Sequence, residues 1–338
     1  MVTVGVMVLA GTCTISGTAH ASSTIAPITA SGFKLTLDSS STSDISAGEA
    51  ANGSLNPVSL SSVPAGSFSS GKDGLCYPTP FNPGVSADGY CWGNTADDSG
   101  SAGWYPQGFS VPHSAAADGA WGGRRWEVVS WHNGDNSVAK LRFVDRASAT
   151  PRYVDVLLAT LAQDGTVTPL PIHADSVVWY DNNLLIGTGG LVQVFRLGDL
   201  MHSSVGLAGT GFTYVLPRAY LYRTVATATS ACVPETGNTP CLTSLSFDRA
   251  NGALLSSEFR PDNANGRIIR WSFDLSSGLP RTGTSALGAW TTPVWKMQGV
   301  VNVNAPSTSA RPAPAASTTD TGRARACTRA RLAVPRVS

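Results

Sequence analysis

What this chain has little of narrows its chemistry. Its six cysteines include no Cys-x-x-Cys pair and only five histidines accompany them, so a zinc site built on cysteine has no support. Charged residues make up 13% of the chain. Between Ser22 and Ala305 there are 17 Lys and Arg against 21 Asp and Glu, a net of −4, and no basic face suits nucleic acid. No apolar run is long enough to span a bilayer, and no amphipathic stretch marks a membrane surface. Long stretches of helical periodicity are missing, which argues against α/β folds. Two catalytic signatures are absent as well. Ser114, Ser130 and Ser244 lie in no Gly-x-Ser-x-Gly elbow, and Gly187-Thr188-Gly189-Gly190 has no helix after it to hold a phosphate.

What is there is a repeating β pattern. Asp175 to Leu197 reads as three short strands: a run ending Val177-Val178-Trp179-Tyr180, then Leu184-Leu185-Ile186, then Leu191 to Leu197. Asp181-Asn182-Asn183 and Gly187 to Gly190 break them, as hairpin turns require. The opening of this stretch recurs. A polar residue, a small residue and an apolar alternation appear at Gln107-Gly108, Asp175-Ser176, Thr243-Ser244 and Gln298-Gly299, with the small residues 68, 68 and 55 positions apart. A repeated unit of four strands is one blade of a β-propeller, and these spacings exceed the usual ~40–50 residues, implying long loops. The fold read from this is all-β, a propeller of about five or six four-stranded blades left incomplete at the C-terminus. A β-sandwich or a pair of small β domains is the alternative.

The ends differ from the middle. Residues 1–21 have a short apolar core closing on Ala19-His20-Ala21, the form of a secretory signal peptide, though without a basic n-region, so the true start codon is placed upstream. Residues 22–70 form a Ser/Thr/Ala-rich leader expected to be mostly flexible, with Gly32 to Asp38 as one candidate strand, and residues 71–305 the propeller-like domain. Residues 306–338 hold six arginines and one acid among many Ala, Pro, Thr and Ser. They read as a disordered tail or a frame-shifted end, because the switch directly follows the fourth repeat start. With Cys13 in the signal and Cys327 in the tail, the short separations of the other four favour Cys76–Cys91 and Cys232–Cys241 as disulfides of a secreted, extracellular protein.

At Trp104-Tyr105-Pro106-Gln107-Gly108, Val128-Val129-Ser130-Trp131, Phe143-Val144-Asp145, Pro151 to Leu158, Ile172-His173-Ala174 and Val194 to Leu197, the chain resembles a family of uncharacterised actinobacterial secreted proteins with a propeller-like pattern. The resemblance covers roughly Leu75 to Asn304 and departs from the family at Asp175-Ser176 and Ile186-Gly187-Thr188. It implies fold and export, and no activity.

In a propeller, the loops entering the innermost strands face an axial funnel where ligands bind. The repeat therefore sets Gln107, Asp175, Thr243 and Gln298 around one mouth as ligand-binding candidates. The competing reading is that they hydrogen-bond backbone and close the ring. His173, beside Asp175, is the candidate general base, imidazole being the side chain suited to proton transfer. His113 and His132 read as surface residues. Asp181 to Asn183 could offer oxygens to calcium, but a hairpin turn needs the same residue types, and no metal site is assigned. Trp92, Trp104, Trp121, Trp126 and Trp131 are read as interface residues, or else as a platform for sugars or peptides. The function expected is a monomeric extracellular binding module for a small molecule, glycan or peptide, with no nucleic-acid partner and no membrane span. The alternative is a secreted propeller hydrolase or lyase of lactonase or esterase type, metal-assisted, using His173 and Asp175.

Overall fold

The computed structural model describes residues 25–41, 44–76, 89–112, 119–147, 150–224, 232–233, 237–260, 265–294 and 296–302, and the backbone of 324–326. The signal-peptide segment 1–21, His113, Ser114 and Cys327 lie outside the described residues, as does the tail apart from that backbone segment, which pairs with Val300–Asn302.

The chain is all-β. Its sheets contain three antiparallel meanders of four strands. The first comprises β1 (Trp104–Ser110), β2 (Trp126–Asn133), β3 (Ala139–Asp145) and β4 (Arg152–Leu161). The second comprises β5 (Ser176–Tyr180), β6 (Asn183–Thr188), β7 (Leu191–Arg196) and β8 (Tyr214–Arg223). The third comprises β9 (Ser244–Asp248), β10 (Ala253–Ser257), β11 (Gly266–Asp274) and β12 (Gly288–Thr292). Tight turns set the registers of the middle unit. Asp181, at φ 49°, turns Tyr180 back on Asn183, and Gly189, at φ 53°, turns Thr188 back on Leu191. These are left-handed conformations that Asp tolerates and Gly adopts freely.

The middle meander is buried on both faces, and period-two alternation divides its side chains between two cores. Val177, Trp179, Leu184, Ile186 and Phe195 pack with Trp126, Leu141, Phe143 and Val156 of the first meander. Val178, Leu185, Val192 and Val194 pack with Leu254, Ile269, Trp271 and Phe273 of the third. Adjacent residues thus point to opposite cores, which is why these strands read as unbroken apolar runs. Each fully buried large side chain contributes about 1.5–3 kcal/mol.

Two junctions join the first and second meanders. Their outer strands pair in parallel, Leu157 to Ala159 of β4 against Val215 to Pro217 of β8. Their first strands lie side by side, and the Trp179 backbone N–H donates to Ser110 Oγ at 3.0 Å. The eight strands in the order β5-β6-β7-β8-β4-β3-β2-β1 consequently form a nearly closed, barrel-like sheet around the first core. At the β1–β5 junction a Cβ on Gly108 would fall 2.5 Å from Val177 N and 2.6 Å from Ser176 Cα, so the backbones meet only because the residue is glycine. Along the same line β9 lies beside β5 and Val300–Asn302 beside β9, so the four repeat starts fall within or at the head of four neighbouring strands.

Three four-stranded meanders are complete among the described residues, each unit carries long connections, and the fourth start yields one short strand, so the described strands do not make up five or six blades. The leader is not an unstructured preface. Ala26–Ile28 pairs with β12, Thr36–Leu37 with β8, Leu55–Pro57 with Met201–Ser203, and Ser69–Ser70 with β4. Phe33 and Leu35 are buried in the second core, and Leu60 and Val63 in the first. Composition misses this because a few well-placed apolar residues suffice when long-range pairing supplies the partners.

Both disulfides form as their short separations anticipate, Cys76–Cys91 and Cys232–Cys241, with Cα–Cα distances of 5.9 and 5.0 Å. Among the described residues no helix is long and apolar enough to cross a membrane.

Candidate functional site

The site lies where the first and second meanders meet, at the starts of β1 and β5. Antiparallel register sets Tyr105 of β1 opposite His132 of β2. The connection into β5 then brings His173 onto the other face of His132. Tyr105 and His132 stack with centroids 5.6 Å apart and planes at 29°, and His132 and His173 with centroids 3.9 Å apart at 28°. The result is a ladder of three rings. His132 is buried in the middle, while Tyr105 is 40% exposed and the His173 side chain 39%.

Local backbone geometry positions His173. Ala174, fully buried, has φ 51°, a conformation that costs a non-glycine residue about 1–3 kcal/mol. It is held there by a relay. The Ser130 hydroxyl donates to Ala174 O at 2.8 Å and accepts from the Gly108 N–H at 2.9 Å. Strand β2 is therefore bonded both to β1 and to the bend before β5, and the bend sets His173 and Asp175 side by side.

The two histidines differ in their partners. His132 Nδ1 lies 2.7 Å from Asn133 O, which can only accept, so Nδ1 carries the hydrogen. Its Nε2 lies 3.0 Å from Gln107 Nε2 and accepts from that amide. Both ring nitrogens are thus satisfied in the neutral form. Burial, and then the neighbouring His173, hold the His132 pKa below the ordinary histidine value, in agreement with that tautomer. His173 Nδ1 lies 2.9 Å from Asp175 Oδ1, but the approach falls outside hydrogen-bond geometry and the atom has no other partner. We read the pair as an imidazole and a carboxylate in reach of each other, not as a formed hydrogen bond.

Of the residues expected at one mouth, the structure joins Gln107, His173 and Asp175 and leaves out two. The Thr243 hydroxyl donates to Ser257 O at 3.0 Å and accepts from the Phe259 N–H at 2.7 Å, closing the β9–β10 end. Gln298 is exposed and takes no part in the ring ladder. His132 overturns the surface reading: it is 6% exposed and central. The register of the β1–β2 hairpin sets it opposite Tyr105, but its burial is completed by His173 from the connection into the second meander. Trp92, Trp126 and Trp131 are buried.

Both asparagines of the Asp181–Asn183 turn use their side chains internally. Asn182 Oδ1 accepts from the Gly198 N–H, and the Asn183 amide donates to Ser277 O and Gly278 O. Cys76, Cys91 and Asp98 converge, but the two sulfurs are bonded to each other and offer no thiolate.

The ladder can present stacked ring edges, an amide and a carboxylate to a ligand, and its imidazole–carboxylate pair can take a proton from water. A nucleophile is not supplied by Ser130, which is buried and fully engaged. Comparison of the chain with protein-family models, with curated proteins and with solved structures finds no match.

Proposed function

We propose that this protein is a secreted, extracellular binding module of β-propeller type, related to the actinobacterial secreted proteins it resembles, and that it binds a small molecule, glycan or peptide at the Tyr105–His132–His173 ladder. The observation that carries the reading is the ladder itself: two partly exposed rings enclose a third whose nitrogens are already satisfied, flanked by Gln107 and Asp175. Such a group recognises flat or hydroxylated ligands by stacking and hydrogen bonding, and needs no chemistry to do so. Propeller architecture is supported by the three four-stranded meanders and by the adjacent first strands β1, β5 and β9. Export is supported by the two disulfides.

The test is a binding screen of the purified, disulfide-intact protein on glycan and peptide arrays. A hit should be lost in His173→Ala and Tyr105→Ala. Absence of binding on both arrays, or hits that survive both substitutions, would sink the reading.

The 2.9 Å approach of His173 to Asp175 favours a second reading, a hydrolase or lyase in which that pair activates a water. Turnover of a lactone or ester substrate that disappears in His173→Ala would establish it in place of the first.

A further inference from the structure

A second cleft, apart from the ring ladder, opens on the first meander beside the loop that leads into β8. It is about 410 Å³ in volume, within the range of small-molecule sites, roughly 300–1,000 Å³. Its floor is a charged layer. Lys140 Nζ donates to Asp155 Oδ2 at 2.7 Å and lies 4.3 Å from the centre of the Trp104 ring. Behind the pair, Arg142 donates to both oxygens of Asp155 and to Asp97, and is held among the rings of Trp92, Trp131 and Tyr153. Each cation therefore has a carboxylate, and the cleft presents no uncompensated charge.

What the cleft does present is hydrogen-bonding capacity. Lys140 has three N–H donors and one protein hydrogen bond, and Asp155 Oδ1 accepts one bond with a lone pair to spare. A donor and an acceptor thus stand next to each other at the floor. Six of the twelve lining residues carry hydroxyls, of which Thr210 already donates to Leu207 O and accepts from the Phe212 N–H and Tyr214 donates to Ser67 Oγ, and Trp104 and Phe212 add apolar ring edges at one side, packed 6.1 Å apart at 83°. An anion would need an unpaired cation here, and a wholly apolar ligand would leave the remaining Lys140 donors and the spare Asp155 lone pair without partners. A neutral ligand with vicinal hydroxyls meets both demands. One hydroxyl donates to Asp155 while its neighbour accepts from Lys140, and the C–H face of the ring lies along the aromatic edge.

We infer that this cleft is a saccharide-binding site for a neutral mono- or disaccharide unit. The inference does not depend on the ring ladder. Trp104 and Tyr105 are successive residues of β1 whose side chains serve the two different places.

The experiment is a titration of the isotope-labelled, disulfide-intact protein with glucose, galactose, mannose, N-acetylglucosamine and their common disaccharides, with phosphate and glucuronate as anionic probes, followed by NMR. The expected result is a saturable shift at the Trp104 indole and Thr213 signals with at least one neutral sugar. Affinity should fall about tenfold or more when the exposed wall residue Thr213 is replaced in Thr213→Trp, which fills the cleft. Ser69→Tyr on the opposite wall serves the same purpose should the first variant fail to fold. Three results would each overturn the inference: no shift with any neutral sugar, shifts confined to His132 and His173, or binding of the anions alone.

Discussion

His132 and His173 stand ring on ring with centroids 3.9 Å apart, one from the second strand of the first meander and the other from the connection into the second. Nothing local in the chain brings them together. The contact exists because Gly108 lets β1 and β5 approach and because Ser130 ties Ala174 into its left-handed bend.

The buried His132 makes stability depend on pH. Its folded pKa lies below the ordinary value of about 6.5, so the unfolded chain takes up the proton first. Its contribution is therefore intact above pH ~6.5, declines as the pH falls below that value, and levels off under the folded pKa. The difference in melting temperature between the wild type and His132→Gln should shrink on acidification from pH 7.5 to 5. A difference independent of pH would contradict the neutral assignment.

Gly108→Ala should destabilise by about 1–3 kcal/mol, since the added methyl meets backbone atoms of β5 that cannot rotate away. Urea unfolding monitored by tryptophan fluorescence measures this. Gly74→Ala, whose Cβ meets no atom within 4 Å, would suffer only the cost of a positive φ.

Arg142→Met should cost about 3–5 kcal/mol, because it leaves Asp155 and the buried Asp97 without their shared cation. Burial opposes the charge on Arg142, but its bonds to Asp155 and Asp97 outweigh it and raise the pKa, so the guanidinium stays protonated and alkaline titration will not mimic the substitution. Denaturant midpoints of the two proteins at pH 7 and 9 decide the matter.

Reduction should raise the intact mass of the chain by about 4 Da, two hydrogens for each disulfide. Opening Cys232–Cys241, which closes a loop across a sequence separation of 9, should lower stability by about 2–3 kcal/mol. A Cys232→Ser, Cys241→Ser double variant compared by urea unfolding gives that figure.

Much of the β architecture was legible. The strands of the second meander fall where the runs between Asp181-Asn182 and Gly189-Gly190 place them, because turn residues fix register locally. Gln107, His173 and Asp175 were also nameable as candidates from the repeat. His132 was not, since its burial comes from a neighbour that only the packing of two meanders supplies. In the leader a candidate strand over Gly32 to Asp38 is legible, but the burial of Phe33 and Leu35 is not, because it comes from contacts with the second and third meanders, far along the chain.

By itself, then, the sequence determined that the chain is all-β, where its hairpins turn, and which cysteines pair, for these depend on residue type and short spacing. Tertiary structure alone decided that two histidines share one stack, that Lys140 and Asp155 floor a cleft, and that the leader belongs to the core. Each of these needs residues distant in the chain to be held at fixed separation, and that separation is set by how whole sheets pack against one another.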